Sequence, residues 1–546
     1  METLNNIAGL LQIKEEKSVK ARIFKRAAGD IAALNEDVLK LVQQDRLSDF
    51  EGLGRTIQTI INEIEDQGSS SFYEKLCQEY PPELLELLKI PGIGPKTVRL
   101  LYQHLQITDL DALTRAAEDG QLRSVPGIGK KNEHNLVRAL TDYQEYNSGI
   151  ILGYVWELAD RIMEFLQPLE TIESIIPVGS LRRGRELLND LDLLVISRDE
   201  AAVRRKLHSY SGFSTIKHEA EGELQAVQEG IPIEFIIVPP EESAFRLLWC
   251  TGSKQHRNKI FAGRRIEDFL NFSSEQEIYE ALRLHYIPPE MRENWGEIEL
   301  ARLQNWPQLV EQFNLQGDFH VRLNWEQGAE GLGDLVQAAR AMGYRYMVLT
   351  NISGAPMRRS LLRDQLMQQF QAIDEINERI SGFRVIKGLE CEVARDGSIH
   401  LDPVLEREAD LVIARVNHHY RMNSQQQTER MLQAIENPAV DMIERLSGRL
   451  LKQRGPMDMD YENLLAVARQ HQVMIGLSSW PDSLDIGEDL SRMAHRMGVK
   501  VAICSEASSP AELQYMRLGI KVARRAGLVP DDVSNCMSLA RLLGHE

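Results

Sequence analysis

One short segment of the chain combines residue types that suit both a phosphate group and a metal ion. Residues 178–184 read Val-Gly-Ser-Leu-Arg-Arg-Gly after an apolar, β-branched run, and Asp190 and Asp192 open a second such run. Side chains two residues apart on a strand share a face, so the two aspartates offer the paired oxygen ligands that Mg²⁺ prefers. A Gly-Ser turn exposes backbone N–H groups, and the guanidinium of Arg183 matches phosphate oxygens. An isolated Asp-x-Asp is common in solvated loops, but this order and spacing favour phosphoryl or nucleotidyl transfer.

The elements that must position these groups are strands. β-branched composition predicts strands at 171–178 and 191–196, on either side of the Gly-Ser turn, and a third at 231–238. The third strand can bring one further carboxylate, Glu234, beside the aspartate pair. Residues 249–256 then turn at Gly252 into a helical region.

Length and composition indicate a soluble protein of several domains. A chain of 546 residues exceeds one core, so we expect three or four domains, and 43% hydrophobic with 26% charged residues is ordinary for globular proteins. No apolar run approaches a membrane span, the start lacks a secretory pattern, and five scattered cysteines fit a reduced cytoplasm. The net charge of −18 argues against a surface covered by nucleic acid but allows a local basic track. The run from Lys14 to Arg26 is one candidate track, and it could equally be a solvated helix face.

Three segments of the first 150 residues place a Gly-apolar-Gly turn between two helical stretches, which resembles the helix-hairpin-helix motif. Their glycines, with the lysines that follow two of them, are Gly52 and Gly54; Gly92, Gly94 and Lys96; and Gly127, Gly129 and Lys130. Backbone N–H groups at such a turn can hold a DNA phosphate without reading the base. One copy would be an ordinary interhelical turn, whereas three copies predict sequence-independent DNA binding.

From about residue 315 the pattern alternates between strand and helix. Helical stretches such as 333–341 separate strand-like runs at 346–350, 383–393, 411–416, 473–477 and 499–504. This alternation predicts an α/β barrel, whose functional residues would lie at the carboxyl ends of the strands.

Taken together, residues 1 to about 310 resemble a family X DNA polymerase of bacterial type. In that family, two metal ions held by three carboxylates drive attack of a primer 3′-hydroxyl on an incoming deoxynucleotide. The resemblance implies that Asp190, Asp192 and Glu234 are catalytic residues that bind Mg²⁺ or Mn²⁺. It implies that the nucleotide is bound by Gly179, Ser180, Arg183, Trp249 and Gly252, with Ser180 and Arg183 on the triphosphate and Trp249, Cys250 and Gly252 against the sugar. The implied partners are gapped or nicked DNA and deoxynucleoside triphosphates.

The chain departs from the family pattern at several of these positions. Glu234 stands where the family has Asp, Ile236 replaces an Arg, and Arg257 replaces an Asn. Since the two ions of such a site lie about 3.5–4 Å apart, an extra methylene in one ligand shifts the geometry. A deoxyribose-phosphate lyase would need a Schiff-base lysine in the helix that follows Gly54. Residues 56–61 contain no lysine, so we expect no lyase activity.

The C-terminal barrel resembles the PHP phosphoesterase domain of bacterial relatives, in which His, Asp and Glu at strand ends hold a metal cluster. His320 and Glu390 stand at family ligand positions, and the remaining positions hold Arg322, Ile352, Asn417, Arg445, Glu506 and Ser508. Ile352 cannot bind a metal, and arginines oppose a cation. His418 and His419 lie nearby in sequence, but such a pair is more often solvated than metal-bound. We expect no metal cluster and no exonuclease activity in this barrel, and a structural or interaction role instead.

These observations predict a multidomain protein. Its predicted parts are a helical DNA-binding domain with a helix-hairpin-helix (1–80), a helical region with two more (81–148), an α+β nucleotidyltransferase palm (149–240), a thumb (241–314) and a degenerate, PHP-like distorted TIM-type barrel (315–546). The leading hypothesis is a polymerase that fills short gaps during DNA repair. The alternative is a weakened or inactive protein that binds DNA ends as a scaffold. A nucleotidyltransferase with a non-DNA acceptor is disfavoured by the three hairpins, and protein partners, fidelity and oligomeric state stay open.

Overall fold

The computed structural model describes residues 2–15, 18–32, 55–67, 69–90, 92–270, 272–303, 306–323, 331–352, 363–420 and 422–543. These residues form two compact units, Met1–Ser148 and Gly149–Glu546. The first hairpin, with Gly52 and Gly54, lies outside the described residues. The finer division into five domains stays a prediction.

The first unit is helical. Its described helices are Glu2–Lys14, Val19–Ala32, Arg55–Gln67, Ser71–Glu79, Leu84–Leu87, Pro95–Leu105, Leu110–Glu118 and Lys130–Ser148. Local signals explain the boundaries: Pro95 occupies the first turn of its helix, and the carboxylate of Asp109 accepts the Ala112 N–H at 2.8 Å as an N-cap. Apolar residues at helical spacing, such as Val98 and Leu101, face the shared core. The basic run from Lys14 to Arg26 is divided between two helices, so it is not one continuous helix face.

The second unit opens with a mixed sheet. Its strands are β1 (Ile150–Ile151), β2 (Ile172–Pro177), β3 (Leu187–Leu188), β4 (Leu191–Ser197), β5 (Thr215–Ala220), β6 (Glu223–Gln228) and β7 (Ile231–Val238), with helices Leu152–Leu166, Gly179–Arg182 and Glu200–His208. β1 pairs with β3, and the main sheet has the order β2-β4-β7-β6-β5. β4 and β7 run parallel, while the other neighbours are antiparallel. The three strands predicted from composition around the Gly-Ser turn are confirmed.

A helical segment follows the sheet. It contains Ser243–Thr251, Lys254–Ile260, Glu275–Ala281 and Glu297–Leu303, which pack around an aromatic and aliphatic core that includes Phe245 and Tyr279. The buried ring of His256 fixes this core, since its Nδ1 lies 2.6 Å from Glu297 and its Nε2 lies 3.1 Å from the Tyr279 hydroxyl. The segment lies beside the Gly-Ser turn, since Glu275 and Thr251 accept hydrogen bonds from Arg182 and Arg183.

The remaining strands form a parallel sheet that curves towards closure. They are β8 (Gly317–Arg322), β9 (Tyr346–Thr350), β10 (Arg384–Glu392), β11 (Leu411–Arg415), β12 (Met442–Glu444), β13 (Met474–Ser478) and β14 (Val501–Cys504), in spatial order from β14 to β8. The helices between and after them are Leu332–Ala341, Arg363–Arg379, Pro403–Glu408, Ser424–Ile435, Tyr461–His471, Gly487–Met497, Met516–Ala526 and Leu539–Leu542. The Arg322 N–H donates to Ala507 O at 2.8 Å just beyond β14, which links the two ends of the sheet. The predicted fold class, with helical, mixed-sheet and barrel parts, is confirmed.

None of the described helices combines the length and the apolar composition that a bilayer crossing requires.

Candidate active site

Three carboxylates meet where the amino end of β4 pairs with the middle of β7. Asp190 lies directly before β4, and Asp192 within β4 is the parallel register partner of Glu234 on β7. Burial raises the pKa of Asp192 to about 7, and the charges of Asp190 and Glu234 contribute to the rise. Gln225 on the neighbouring strand donates to Glu234 Oε1 at 3.3 Å. The structure thus brings the three sequence-predicted carboxylates into one electrostatic neighbourhood, where a cation would relieve their repulsion.

The donor set is suited to a hard cation, but its arrangement is incomplete. Carboxylate oxygens are the ligands that Mg²⁺ and Mn²⁺ take. Within the described ranges, however, no group of three or more His, Cys, Asp or Glu side chains has a metal-binding arrangement. The carboxylates therefore suit a metal ion by their chemistry, while the part of the chain that the structure describes holds no ready group of three ligands.

A glycine turn holds Asp192 against the backbone. Gly179 has φ +58°, and a Cβ at this position would lie 2.0 Å from Asp192 Oδ2. The Val178 N–H donates to the Asp192 carbonyl at 2.9 Å, which ties the turn to β4. Ser180 follows in the short helix Gly179–Arg182 and is half-buried. Only glycine allows this close approach, so Gly179 is a geometric requirement of the aspartate site.

The two arginines of the Gly-Ser segment are bonded to the helical segment. Arg183 Nε donates to Glu293 Oε1 at 3.1 Å, and its Nη1 donates to the carbonyl of Thr251 at 2.8 Å. Arg182 forms two hydrogen bonds with Glu275, at 2.9 and 2.7 Å. Burial lowers the pKa of Arg183, while Glu293 opposes that shift. The predicted phosphate role of Arg183 stays a prediction, and Glu293 is a partner that sequence reasoning missed.

The residues predicted to face the sugar lie at the end of helix Ser243–Thr251. Trp249 stacks on Phe245 with ring centroids 5.6 Å apart, and the guanidinium of Arg257 lies 5.0 Å from its ring centroid. Arg257 also donates to the Trp249 carbonyl at 3.1 Å. Gly252 ends the helix, and a Cβ there would lie 3.0 Å from the His256 ring. Arg257 therefore supports the Trp249 ring.

The described hairpins of the first unit leave open space at their glycines. Gly92 and Gly127 have φ +82° and +87°, and a Cβ on either of them, or on Gly94 or Gly129, would meet no atom within 4 Å. Helices begin directly after each turn, at Pro95 and at Lys130. Lys96 lies in the first turn of its helix. Backbone N–H groups at an open helix start suit a phosphate oxygen.

At the mouth of the barrel, a cluster of ion pairs fills the position predicted for metal ligands. His320 Nδ1 lies 2.7 Å from Glu444, and its Nε2 lies 3.2 Å from Glu390. Arg415 donates to Glu444 at 3.0 Å and to Glu506 at 2.5 Å. Sequence reasoning missed Glu444 and Arg415, because each is an ordinary charged residue at a strand end and no local pattern marks it.

Two further arginines complete this cluster. Arg322 donates to Glu390 at 2.7 Å, and Arg445 donates to Glu506 at 3.2 Å. Burial alone would raise the pKa of Glu390, but the guanidinium groups of Arg322 and Arg415 hold it well below its ordinary value. The guanidinium groups therefore neutralise the buried carboxylates, as metal ions would do in a phosphoesterase.

Known proteins are similar to this chain over nearly its whole length. Residues 84–142 match the family model of the SAM-like helix-hairpin-helix tandem. The DNA polymerase/3′-5′ exonuclease PolX of Bacillus subtilis (strain 168) is 29% identical over 555 residues, which cover 98% of this chain and 96% of that protein. The predicted resemblance to bacterial family X polymerases is confirmed. Because this similarity extends from end to end, it includes the barrel as well as the sheet that carries Asp190 and Asp192.

Two further relatives are similar to shorter parts of the chain. A probable phosphatase of Thermoanaerobacter sp. (strain X514) is 26% identical over 176 residues, 30% of this chain and 69% of that protein. The Holliday junction branch migration complex subunit RuvA of Leptothrix cholodnii (strain ATCC 51168 / LMG 8142 / SP-6) is 31% identical over 88 residues, 16% of this chain and 46% of that protein. These similarities support a phosphatase-like part and a helix-hairpin-helix part.

Proposed function

We propose that this chain is a DNA-directed DNA polymerase of family X, which fills short gaps in DNA during repair. The observation that carries the proposal is the Asp192–Glu234 register pair beside Asp190 and the Gly179 turn, within a chain similar to PolX from end to end. The mixed sheet then acts as a palm and the helical segment as a thumb.

The reaction is transfer of a nucleotidyl group. The 3′-oxygen of a primer attacks the α-phosphorus of a deoxynucleoside triphosphate, the new P–O bond forms, and the bond to pyrophosphate breaks as the hydroxyl proton leaves. Asp190, Asp192 and Glu234 would hold Mg²⁺ or Mn²⁺. When bound, such an ion would lower the pKa of the primer hydroxyl and neutralise charge on the triphosphate. The Gly179-Ser180 turn would present N–H groups to the triphosphate, and Arg183 would add a charged donor.

Glu234 sets the efficiency of this site. Its side chain now accepts a hydrogen bond from Gln225, and the described residues contain no ready three-ligand arrangement. The carboxylate keeps its second oxygen for a metal ion, and its extra methylene makes an imperfect third ligand. We expect slower nucleotidyl transfer than an aspartate at this position would support.

The first unit would bind gapped or nicked DNA. The open hairpin glycines at 92, 94, 127 and 129 support phosphate contacts that carry no sequence information. Such contacts release counterions, so binding weakens steeply as salt rises.

We further propose that the barrel has lost exonuclease activity. A multinuclear site needs converging ligands and space for the ions. Arg415 sits between Glu390, Glu444 and Glu506, with Nε 3.7 Å from Glu390, and it is almost fully buried. Its guanidinium occupies the charge-neutralising position that a cation would need. The Bacillus relative is named as an exonuclease, and this chain would differ from it there.

The alternative, a DNA-end scaffold without catalysis, is favoured by one observation. Arg183, the expected triphosphate ligand, is already bonded to Glu293 and Thr251. An inactive palm that kept this arginine as a structural ion pair would look the same.

A gap-filling assay distinguishes the polymerase from the scaffold. A duplex with a one-nucleotide gap, a nicked duplex and a single strand would be incubated with the full chain, deoxynucleoside triphosphates and either Mg²⁺ or Mn²⁺. The polymerase predicts template-directed addition of one nucleotide at the gap. Binding to the gapped duplex without addition under either metal would support the scaffold and refute the polymerase.

A further inference from the structure

A basic helix near the C-terminus contacts the Gly-Ser segment of the palm. This basic helix, Met516–Ala526, follows the last barrel strand and carries Arg517, Lys521, Arg524 and Arg525. Their spacing of four, seven and eight residues places them along one side of a helix. The side chains of Lys521, Arg524 and Arg525 are 19%, 14% and 4% exposed, so they are committed to the interior. Buried cations of this kind require specific partners.

Two of these cations bind main-chain oxygens of the segment itself. Lys521 Nζ donates to the carbonyl of Arg182 at 3.1 Å, and Arg525 Nη1 donates to the carbonyl of Arg183 at 3.0 Å. Both carbonyls lie at the end of the short helix Gly179–Arg182, where backbone acceptors lack intrahelical donors. A positive charge is favourable at a helix C-terminus. The basic helix thereby fixes the end of the turn that begins with Gly179.

The basic helix also packs closely against the backbone of the Gly-Ser segment at Gly184. Gly184 has φ +68°, and a Cβ there would lie 2.9 Å from Lys521 Cβ. A larger residue would push the basic helix away from the segment.

One carboxylate joins the basic helix to the guanidinium of the segment. Glu293 Oε1 accepts from Arg183 Nε at 3.1 Å and from Arg525 Nη1 at 3.0 Å. Burial would raise the pKa of Glu293, but Arg183 and Arg525 hold it below its ordinary value. Arg525 is fixed in turn by Glu488, which accepts from its Nε at 2.7 Å. The direction of the Arg183 side chain therefore depends on a residue more than 300 positions further along the chain.

A second carboxylate, Glu290, holds the side chains of Lys521 and Arg524 on the basic helix. Glu290 is almost fully buried and accepts from Lys521 at 2.6 Å and from Arg524 at 3.0 Å. Burial would raise the pKa of Glu290, but Lys521 and Arg524 lower it to about 2, so it stays charged. Lys521 is thus held in place while it bonds the Arg182 carbonyl.

We propose that Lys521 and Arg525 are positioning residues for the incoming nucleotide, and that the barrel is kept as the platform that presents them. This inference rests on the proposed function of the Gly179–Arg183 segment. The barrel would have exchanged metal chemistry for a mechanical role in the palm. Arg525 acts through the Arg183 carbonyl and through Glu293, without touching the nucleotide.

The test compares Arg525→Met with Arg517→Met in the full chain. Arg517 lies on the same helix, but it pairs with Asp160 at 2.6 Å and lies 5.1 Å from the Trp156 ring centroid instead of contacting the segment. Removing a hydrogen bond to a charged group is worth about tenfold in an equilibrium constant. We expect Arg525→Met to raise the KM for the incoming deoxynucleotide about tenfold with kcat nearly unchanged. Arg517→Met should change neither, although both variants lose an ion pair.

A binding assay without turnover distinguishes failure of the positioning role from failure of the proposed polymerase activity. Equilibrium binding of a fluorescently labelled deoxynucleoside triphosphate should weaken about tenfold in Arg525→Met, and Arg525→Lys, which keeps the charge, should lie closer to wild type. Equal binding by the Arg525→Met and Arg517→Met variants, at equal melting temperatures, would overturn the positioning role. Nucleotide binding by the wild type without primer extension would refute the polymerase alone. No nucleotide binding by the wild type would overturn both.

Discussion

Replacing Arg415 by Met tests whether an internal cation holds the barrel mouth together. Arg415 is 2% exposed, and its two terminal nitrogens bond Glu444 at 3.0 Å and Glu506 at 2.5 Å. Methionine replaces the aliphatic part of the arginine side chain and carries no charge, so the change leaves these carboxylates buried without their central partner. Breaking one buried pair costs about 3–5 kcal/mol because the remaining charge is uncompensated. We expect the free energy of unfolding to fall by about 4 kcal/mol.

Arg322→Met is the matched control for this prediction. Arg322 also bonds a carboxylate of the cluster, Glu390 at 2.7 Å, but it is 26% exposed, so water can replace it. We expect a loss of about 1 kcal/mol. Urea titrations of the full chain, followed by circular dichroism, measure both variants. A loss below about 1 kcal/mol in Arg415→Met, or equal losses in the two variants, would refute the reasoning.

The effect of a chelator on stability is a second test of whether guanidinium groups, and not metal ions, neutralise the cluster. Because guanidinium groups already neutralise Glu390, Glu444 and Glu506, adding EDTA should leave the urea midpoint unchanged in an Asp190→Ala/Asp192→Ala background, which lacks the proposed palm ligands. In Arg415→Ala the emptied space is bordered by these carboxylates and by His320, a donor set that suits Mn²⁺. Mn²⁺ should therefore raise the midpoint when Arg415→Ala is added to that background, and should not raise it without Arg415→Ala. A chelator-sensitive midpoint in the background variant alone would contradict an internal cation.

Three further predictions concern the individual parts. Glu234→Asp should keep or raise gap-filling activity because the shorter arm matches the family geometry, while Glu234→Gln should lose most of it; a Gln variant as active as wild type would show that Glu234 binds no metal. Removing residues 1–148 should weaken binding to gapped DNA and flatten its steep salt dependence in fluorescence anisotropy, and unchanged affinity would place the binding surface elsewhere. The full chain should leave labelled single-stranded DNA intact in excess Mn²⁺, and degradation that disappears in His320→Ala would prove the barrel to be a nuclease.

The sequence predicted those features that depend on local pattern. β-branched runs predicted the strands that carry Asp192 and Glu234, and the parallel register of β4 and β7 brings these two residues together. Gly-apolar-Gly turns predicted hairpins, and the positive φ of Gly92 and Gly127 is the conformation that such turns require. Period and composition were sufficient because each of these features is decided within about ten residues of chain.

Other features depend on contacts between distant segments. The pairing of Arg183 with Glu293 joins residues 110 positions apart, and Arg525 reaches the same carboxylate from 232 positions away. In the barrel, Arg415 and Glu506 are 91 residues apart. A single charged residue carries no local mark of its partner, so the sequence could indicate that metal ligands were replaced but not that the replacements bind one another.

The central claim is that nucleotides are transferred at the Asp190 and Asp192 site. The most direct measurement is single-nucleotide gap filling by the wild type and by Asp190→Ala/Asp192→Ala, with Asp489→Ala as a control whose carboxylate is fully exposed. The double variant loses the oxygen ligands of both ions, so its rate should fall at least about a hundredfold, while the control matches wild type. Gap filling by the double variant at the wild-type rate would show that the active site is elsewhere.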